Sequence, residues 1–465
     1  MAKRIFAFAL MLTIIASASL SAHASEPLEL VARTAILIEE TTGRQLFGKN
    51  EHERIYPASM SKILIALVAI EHIDPDEFIL LGEELNHAPP GSSLAGLEPG
   101  ETILFKNLLR GFMMMSGNEA GCAIALNVAR RVTGNEEISY SEAEALFNDL
   151  VNERAVELGA RDTNFTNPHG FHHEDHYTTA YDMALFAQAY LEIPILRLIG
   201  EETEFTGYGA GDNPPEGSNN RHHTWRSRNQ LLIEEADGYY TYADGIKTGF
   251  TDQAGNCVAA SAERNGMRLI SVVCFSPIPG VWNDTRAMME YGFNNYSYVS
   301  VQDANEVLKQ APIYRPRLGE PVVLDVKSST GYSGFYSSEE ISRIQTEFTF
   351  NREFLYQPDG RPATSVPILH GPISETDVLG TVTYSLDGQV IFTDYIVAAS
   401  DVLARSIASD FHYYLNMARN HLFVMGAIPY WVGGAAILAA LIVILRMIRR
   451  RRQLGKKEYS MYYWR

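Results

Sequence analysis

The stretch Tyr56 to Glu71, YPASMSKILIALVAIE, limits the fold more than any other. From Ile63 to Ile70 every residue is apolar, so a helix here has no face for water and must be buried on all sides. Only a chain that can wrap a full layer of structure around one helix accepts this. A length of 465 residues, 46% hydrophobic and 20% charged, supplies enough core for about two or three domains. The mouth of the helix carries Ser59, Ser61 and Lys62. An ammonium group placed there loses hydration, and the loss has to be offset by partners or put to use.

Both ends differ from the body. Residues 1–24 begin with Lys3 and Arg4, continue with an apolar stretch and end in Ala22-His23-Ala24, the layout of a secretory signal peptide. Residues 422–445 are uncharged and are followed by RMIRRRRQLGKK. Read as a helix, that run covers ~36 Å, enough to span a bilayer with some tilt. The arginines place the tail 446–465 in the cytoplasm. The expected localisation is therefore the cell membrane, single-pass, with the main body outside the cytoplasm. The two ends carry +2 and +7 of a total of −18, which leaves −27 on the body. Such a surface argues against nucleic acid as a partner, and an anionic substrate needs local positive charge against it.

Three cysteines, Cys122, Cys257 and Cys274, exclude a fully paired disulfide framework. NCVAASAERNGMRLISVVCF reads as two strands around an Asn265-Gly266 turn. Pairing Arg264 with Met267 sets Cys257 opposite Cys274, and both a disulfide and two buried thiols remain open.

Residues 25–300 mix strands and helices. RTAILIEETTGRQLFGKN reads as a hairpin, helices are expected around 60–72, 105–131 and 141–158, and YADGIKTGF, GNCVAASAE and RLISVVCFS read as neighbouring strands. The expected class is α+β, an antiparallel sheet with helices. Residues 207–223 read as an exposed loop. A small all-β domain is expected over 312–400, with a turn at Asp387-Gly388, followed by a linker helix over 401–421.

The chemistry starts from spacing. Ser59 and Lys62 are three residues apart and share a face of a helix. A serine is a weak nucleophile unless something takes its proton, and a desolvated lysine near a second cation can do so. Ser-x-x-Lys alone arises often by chance. It is followed in order by Ser116-Gly117-Asn118 and by Lys247-Thr248-Gly249, and that ordered set is the pattern of the serine penicillin-recognising enzymes.

The wider sequence, with PASMSK, GSSLAGLEPGE, SGNEAG, NPHGF, HYTTAYDMA, DGIKTGFTDQAGN and YGF, resembles the D-alanyl-D-alanine carboxypeptidases, the low-molecular-mass penicillin-binding proteins. The resemblance runs from about Ala32 to Phe293 and resumes more weakly in VLGTVTYSLDGQVIFTDYIVAASDV. It implies the penicillin-binding transpeptidase fold and a two-step acyl transfer without cofactor or metal. Ser59 attacks the carbonyl between the last two D-alanines of a peptidoglycan stem peptide, and Lys62 takes its proton. Ser116 relays a proton to the leaving nitrogen, and Asn118 holds Lys62 and the substrate amide. Lys247 and Thr248 grip the terminal carboxylate. The N–H groups of Ser59 and Phe250 form the oxyanion hole, and Gly249 admits close approach of the strand. β-Lactams are trapped at the same serine.

One departure stands out. The family's arginine, eleven residues before the YGF glycine, is Val281 here, and Arg286 is out of register. Two rival functions fit the sequence less well. A class A β-lactamase needs a carboxylate for the deacylating water, and Glu144 has the wrong spacing for it. A non-catalytic wall-binding or β-lactam-sensing module conflicts with the full set of polar site residues. His172 and His176, four apart in HGFHHEDH, are read as part of a polar loop, with no metal.

Overall fold

The computed structural model describes residues 28–357, 366–424 and 437–448. The expected signal peptide, the centre of the expected membrane span and most of the basic tail lie outside them. Among the described residues no single helix is long and apolar enough to cross a membrane, and Ile437–Ile448 is a shorter apolar helix. The chain divides into two compact units between Ser297 and Tyr298.

The first unit is built on a five-stranded antiparallel sheet. Its strands are β1 (Thr34–Glu39), β2 (Gln45–Lys49), β3 (Ala243–Thr251), β4 (Gly255–Arg264) and β5 (Met267–Ser276), in the order β2-β1-β5-β4-β3. Every residue of β1 is buried, so both faces of the sheet are covered. Asn265 and Gly266 have φ of 56° and 79°, the positive pair that a two-residue hairpin turn requires. Arg264 pairs with Met267, and the register holds to Val258 opposite Val273. A bulge then shifts it, with Phe275 at φ 52°. Cys257 and Cys274 end beside the bulge, Cys257 Sγ donates to the Ala254 oxygen at 3.4 Å, and all three cysteines are free.

The greasy helix is α1 (Lys62–His72), with every residue from Lys62 to Ala69 buried. A single 3₁₀ turn, Ala58–Ser61, leads into it and carries Ser59. The helix expected over 105–131 is two helices, α2 (Phe105–Met114) and α3 (Asn118–Thr133). They break where Ser116 takes a left-handed φ of 57°, and a Cβ on Gly117 would lie 2.8 Å from the Ala95 Cβ. Sequence periodicity continues through this point, and the packing of the 92–97 loop interrupts it. Helix α4 (Tyr140–Glu157) starts on a capping box made by Ser139 and Glu142. Helices α5 (Ala180–Glu192), α6 (Pro194–Glu201) and α7 (Gly280–Asn295) complete the unit. The stretch expected as a loop over 207–223 is strand at both ends, where Gly207 and Tyr208 pair with His223 and His222 in a hairpin of Glu204–Tyr208 with His222–Arg226. His223 within it is buried and bonds Glu101 through Nε2.

The second unit has its own antiparallel sheet of β6 (Val307–Pro312), β7 (Val323–Ser328), β8 (Gln345–Phe350), β9 (Val378–Leu386) and β10 (Gln389–Ala398), in the order β6-β7-β10-β9-β8. Asp387 and Gly388 turn the β9–β10 hairpin with positive φ. Leu324, Val326, Leu379, Val382 and Ile396 form a separate core. A helix, Ile407–Val424, follows.

Two tight contacts hold the 167–171 loop, one against α3 and one against the turn that leads into α1. A Cβ on Gly121 of α3 would sit 2.4 Å from the Pro168 carbonyl oxygen, and one on Gly170 would sit 2.2 Å from the Ala58 oxygen. Gly121→Ala should therefore cost about 1–3 kcal/mol of stability by overpacking. A differential-scanning melt of the full chain should show a drop of a few degrees. An unchanged melting temperature would mean that the loop is not pressed against α3.

Candidate active site

The short turn before α1 aims Ser59 at its lysine. Lys62 Nζ lies 3.2 Å from Ser59 Oγ and donates to Asn118 Oδ1 at 2.8 Å and to the backbone oxygen of His169. Its ammonium also lies 5.2 Å from the centroid of the Phe112 ring. Lys62 is fully buried, while Ser59 is half-buried. Burial first, and the positive charge of Lys247 second, hold the Lys62 pKa well below the ordinary lysine range. Glu119 and Cys122 pull it the other way, and Arg228 adds to the depression. Ser116 sits two residues before Asn118, at the helix break.

Strand β3 brings the third motif to the same place. Lys247 is 3% exposed and donates to the Thr248 carbonyl at 2.9 Å. Burial, then the Arg228 cation, bring its pKa down to about 7. A Cβ on Gly249 would meet the Pro57 oxygen at 2.8 Å and the Met60 nitrogen at 3.2 Å, so only a glycine lets β3 run this close to the Ser59 turn. Thr248 is half-buried and the Phe250 side chain is exposed. Ser59, Lys62, Asn118 and the Lys247–Gly249 strand thus converge from three distant segments.

Sequence reasoning assigned no residue in GSSLAGLEPGE, yet this loop forms one wall. Asn118 Nδ2 donates to Ser92 Oγ at 3.0 Å, and the Asn118 N–H donates to the Ser93 oxygen at 2.8 Å. Arg228 Nη1 donates to Ser93 Oγ at 2.7 Å, and its charge bears on both lysines. The His169 carbonyl was also missed, because a backbone oxygen leaves no mark on residue type. Asn229, next to Arg228, turns inward and donates to the Gly245 oxygen at 3.3 Å, which ties this loop to β3.

Val281 is buried in α7, and Arg286 donates to the Asp237 and Tyr239 carbonyls. Arg286 is therefore occupied with structure. His172 meets Tyr56 edge-on, whereas His176 stacks on Phe165 and accepts the Thr166 N–H at 3.1 Å. Burial first, then the charge of Lys62, push His169 and His176 down to about 3. Among the described residues no group of three or more His, Cys, Asp or Glu is placed to hold a metal.

Residues 21–276 match a family model described as D-alanyl-D-alanine carboxypeptidase. The carboxypeptidase DacF of Bacillus subtilis is 30% identical over 377 residues, covering 80% of this chain and 86% of DacF. DacA of Escherichia coli K12 is 25% identical, covering 85% and 89%. The crystal structure of penicillin binding protein 5 from Haemophilus influenzae superposes with a TM-score of 0.54 at 26% identity, covering 81% of this chain and 99% of that one. With the family model spanning more than half of its length and DacF matching along most of it, the chain belongs to the D-alanyl-D-alanine carboxypeptidase family.

Proposed function

We propose that this chain is a serine-type D-Ala-D-Ala carboxypeptidase that removes the terminal D-alanine from peptidoglycan stem peptides through an acyl-enzyme on Ser59. The observation that carries this reading is a desolvated lysine amine 3.2 Å from the serine oxygen. In its neutral form Lys62 Nζ accepts the Ser59 proton as Oγ attacks the penultimate carbonyl. The developing oxyanion is taken by the N–H groups of Ser59 and Phe250. Ser116 passes a proton to the leaving D-alanine nitrogen. Asn118 fixes Lys62 with its oxygen and leaves the substrate amide within reach of the same side chain.

Lys247 and Thr248 bind the terminal carboxylate. That carboxylate supplies the counter-charge that Lys247 lacks in the free protein, so binding re-protonates Lys247. Water then hydrolyses the ester on Ser59. A β-lactam carries a carboxylate and a strained amide in similar positions, and it acylates the same serine. The signal peptide expected over 1–24 and the membrane span expected over 422–445 support a location of both units outside the cytoplasm, next to the wall. The rival reading, a sensor that binds without turnover, is separated by the same experiments.

With the full-length chain in detergent, a D-Ala-D-Ala peptide should release free D-alanine. Ser59→Ala should reduce release by more than about a thousandfold and abolish covalent labelling by penicillin. A wild type that is labelled yet releases none is the sensor. The pH profile has a definite sign. Lys62 must be neutral, so kcat/KM falls on the acid side as its depressed pKa is crossed. Lys247 must be charged, so kcat/KM falls again as pH rises through about 7 in the free protein. A peptide methyl ester, which has no carboxylate for Lys247, should lose the alkaline limb. Identical alkaline limbs for acid and ester would remove Lys247 from carboxylate binding.

A further inference from the structure

A buried carboxylate that the reaction leaves unused holds one wall of the site. Glu119 follows Asn118 in the first turn of α3 and is 3% exposed. Its Oε1 accepts three consecutive backbone N–H groups, from Ala95 at 2.6 Å, Gly96 at 2.9 Å and Leu97 at 3.5 Å. Its Oε2 is buried and has no hydrogen-bond partner among the described residues. The Trp225 indole N–H donates to the Ala95 oxygen at 2.8 Å and holds the same residue from the other side. Upstream, the loop presents Ser92 Oγ to Asn118 Nδ2 and Ser93 to both the Asn118 N–H and Arg228. Asn118 in turn holds Lys62. Glu119 is thus the far anchor of a path that runs through the loop to the asparagine and ends on the lysine.

We infer that Glu119 is a positioning residue for this site: its carboxylate fixes the Ser92–Leu97 loop, and through Ser92 and Ser93 it fixes the Asn118 amide that carries Lys62, while supplying negative charge on that side of the site. The inference rests on the reading of Ser59 and Lys62 as nucleophile and base. A chain of N–H donors converging on one oxygen is the arrangement in which an anion outperforms a neutral amide. The charge also reaches Lys62. The groups around that amine are Lys247 on β3, Arg228 on the loop after Trp225, Glu119 and Cys122 on α3, and the buried neutral His169 and His176. The two cations favour the neutral amine, and Glu119 opposes them. The residue therefore sets both where Lys62 sits and the pH at which it is ready to accept a proton.

Glu119→Gln separates these effects, because glutamine keeps an acceptor of the same shape and removes the charge. Glu119→Ala removes both. Each full-length variant is compared with wild type in three readouts: the pH profile of acylation by a fluorescent penicillin, kcat and KM for D-alanine release, and the melting temperature. Removing the anion lowers the Lys62 pKa, so the acid limb for Glu119→Gln should move to lower pH by roughly half a unit or more. Glu119→Ala should also lose roughly tenfold to a hundredfold in acylation rate as the loop and Asn118 shift. If both variants melt lower but keep the wild-type acid limb and acylation rate, Glu119 is merely structural and the inference is overturned. A wild type that neither labels at Ser59 nor releases D-alanine would overturn the underlying reading, and this inference with it.

Discussion

Two ammonium groups buried in one site are the constraint around which the first unit is arranged. Lys62 and Lys247 both lie almost out of water, and the charge of Lys247 adds to the burden on Lys62. A protein interior tolerates this only if the charge is given up or the protons on nitrogen find oxygens. Both occur here. Lys62 is ringed by oxygens from Ser59, Asn118 and His169, contributed by three separate segments, and Lys247 folds back on its own strand carbonyl. The cost of desolvating the amines thus becomes their chemical readiness.

The oxygens around Lys62 explain why so many small residues cluster there. Gly249 admits β3 to the serine turn, Gly170 admits the 167–171 loop, and Gly117 and Gly121 admit the neighbouring loops to α3. Each would place a Cβ closer than 3.0 Å to an existing atom. The site is assembled by backbones meeting at van der Waals distance. That geometry lets a main-chain oxygen, His169 O, join the Ser59 and Asn118 side chains around the lysine.

This also sets what was legible beforehand. The all-apolar run in α1 announces a buried helix, and the Asn265-Gly266 pair announces the β4–β5 hairpin with its register, because both signals are local. The three motifs name Ser59, Lys62, Asn118 and Lys247 by residue type. The rest depends on distant contacts. The break between α2 and α3 comes from a loop packed against Gly117, the bulge beyond Val258 displaces Cys257 from its simple register, and the roles of the His169 carbonyl and the 92–97 loop amides belong to the main chain. Val281 shows the opposite case: its apolar side chain was readable, and it is simply core.

The position of β1 in the sheet has a consequence for the order of events during synthesis. Thr34–Glu39 leaves the ribosome early, yet it lies between β2 and β5, and the N–H of Ala32 just ahead of it is held by Asp284, 252 residues later in the chain. Its hairpin with β2 forms at once, but the other edge, TAILIE, stays open until nearly the whole first unit has been made. An apolar edge left waiting that long invites pairing with other chains. Closure of this domain is therefore a late, long-range event, and the nascent chain is most vulnerable to aggregation just before its last sheet strand arrives.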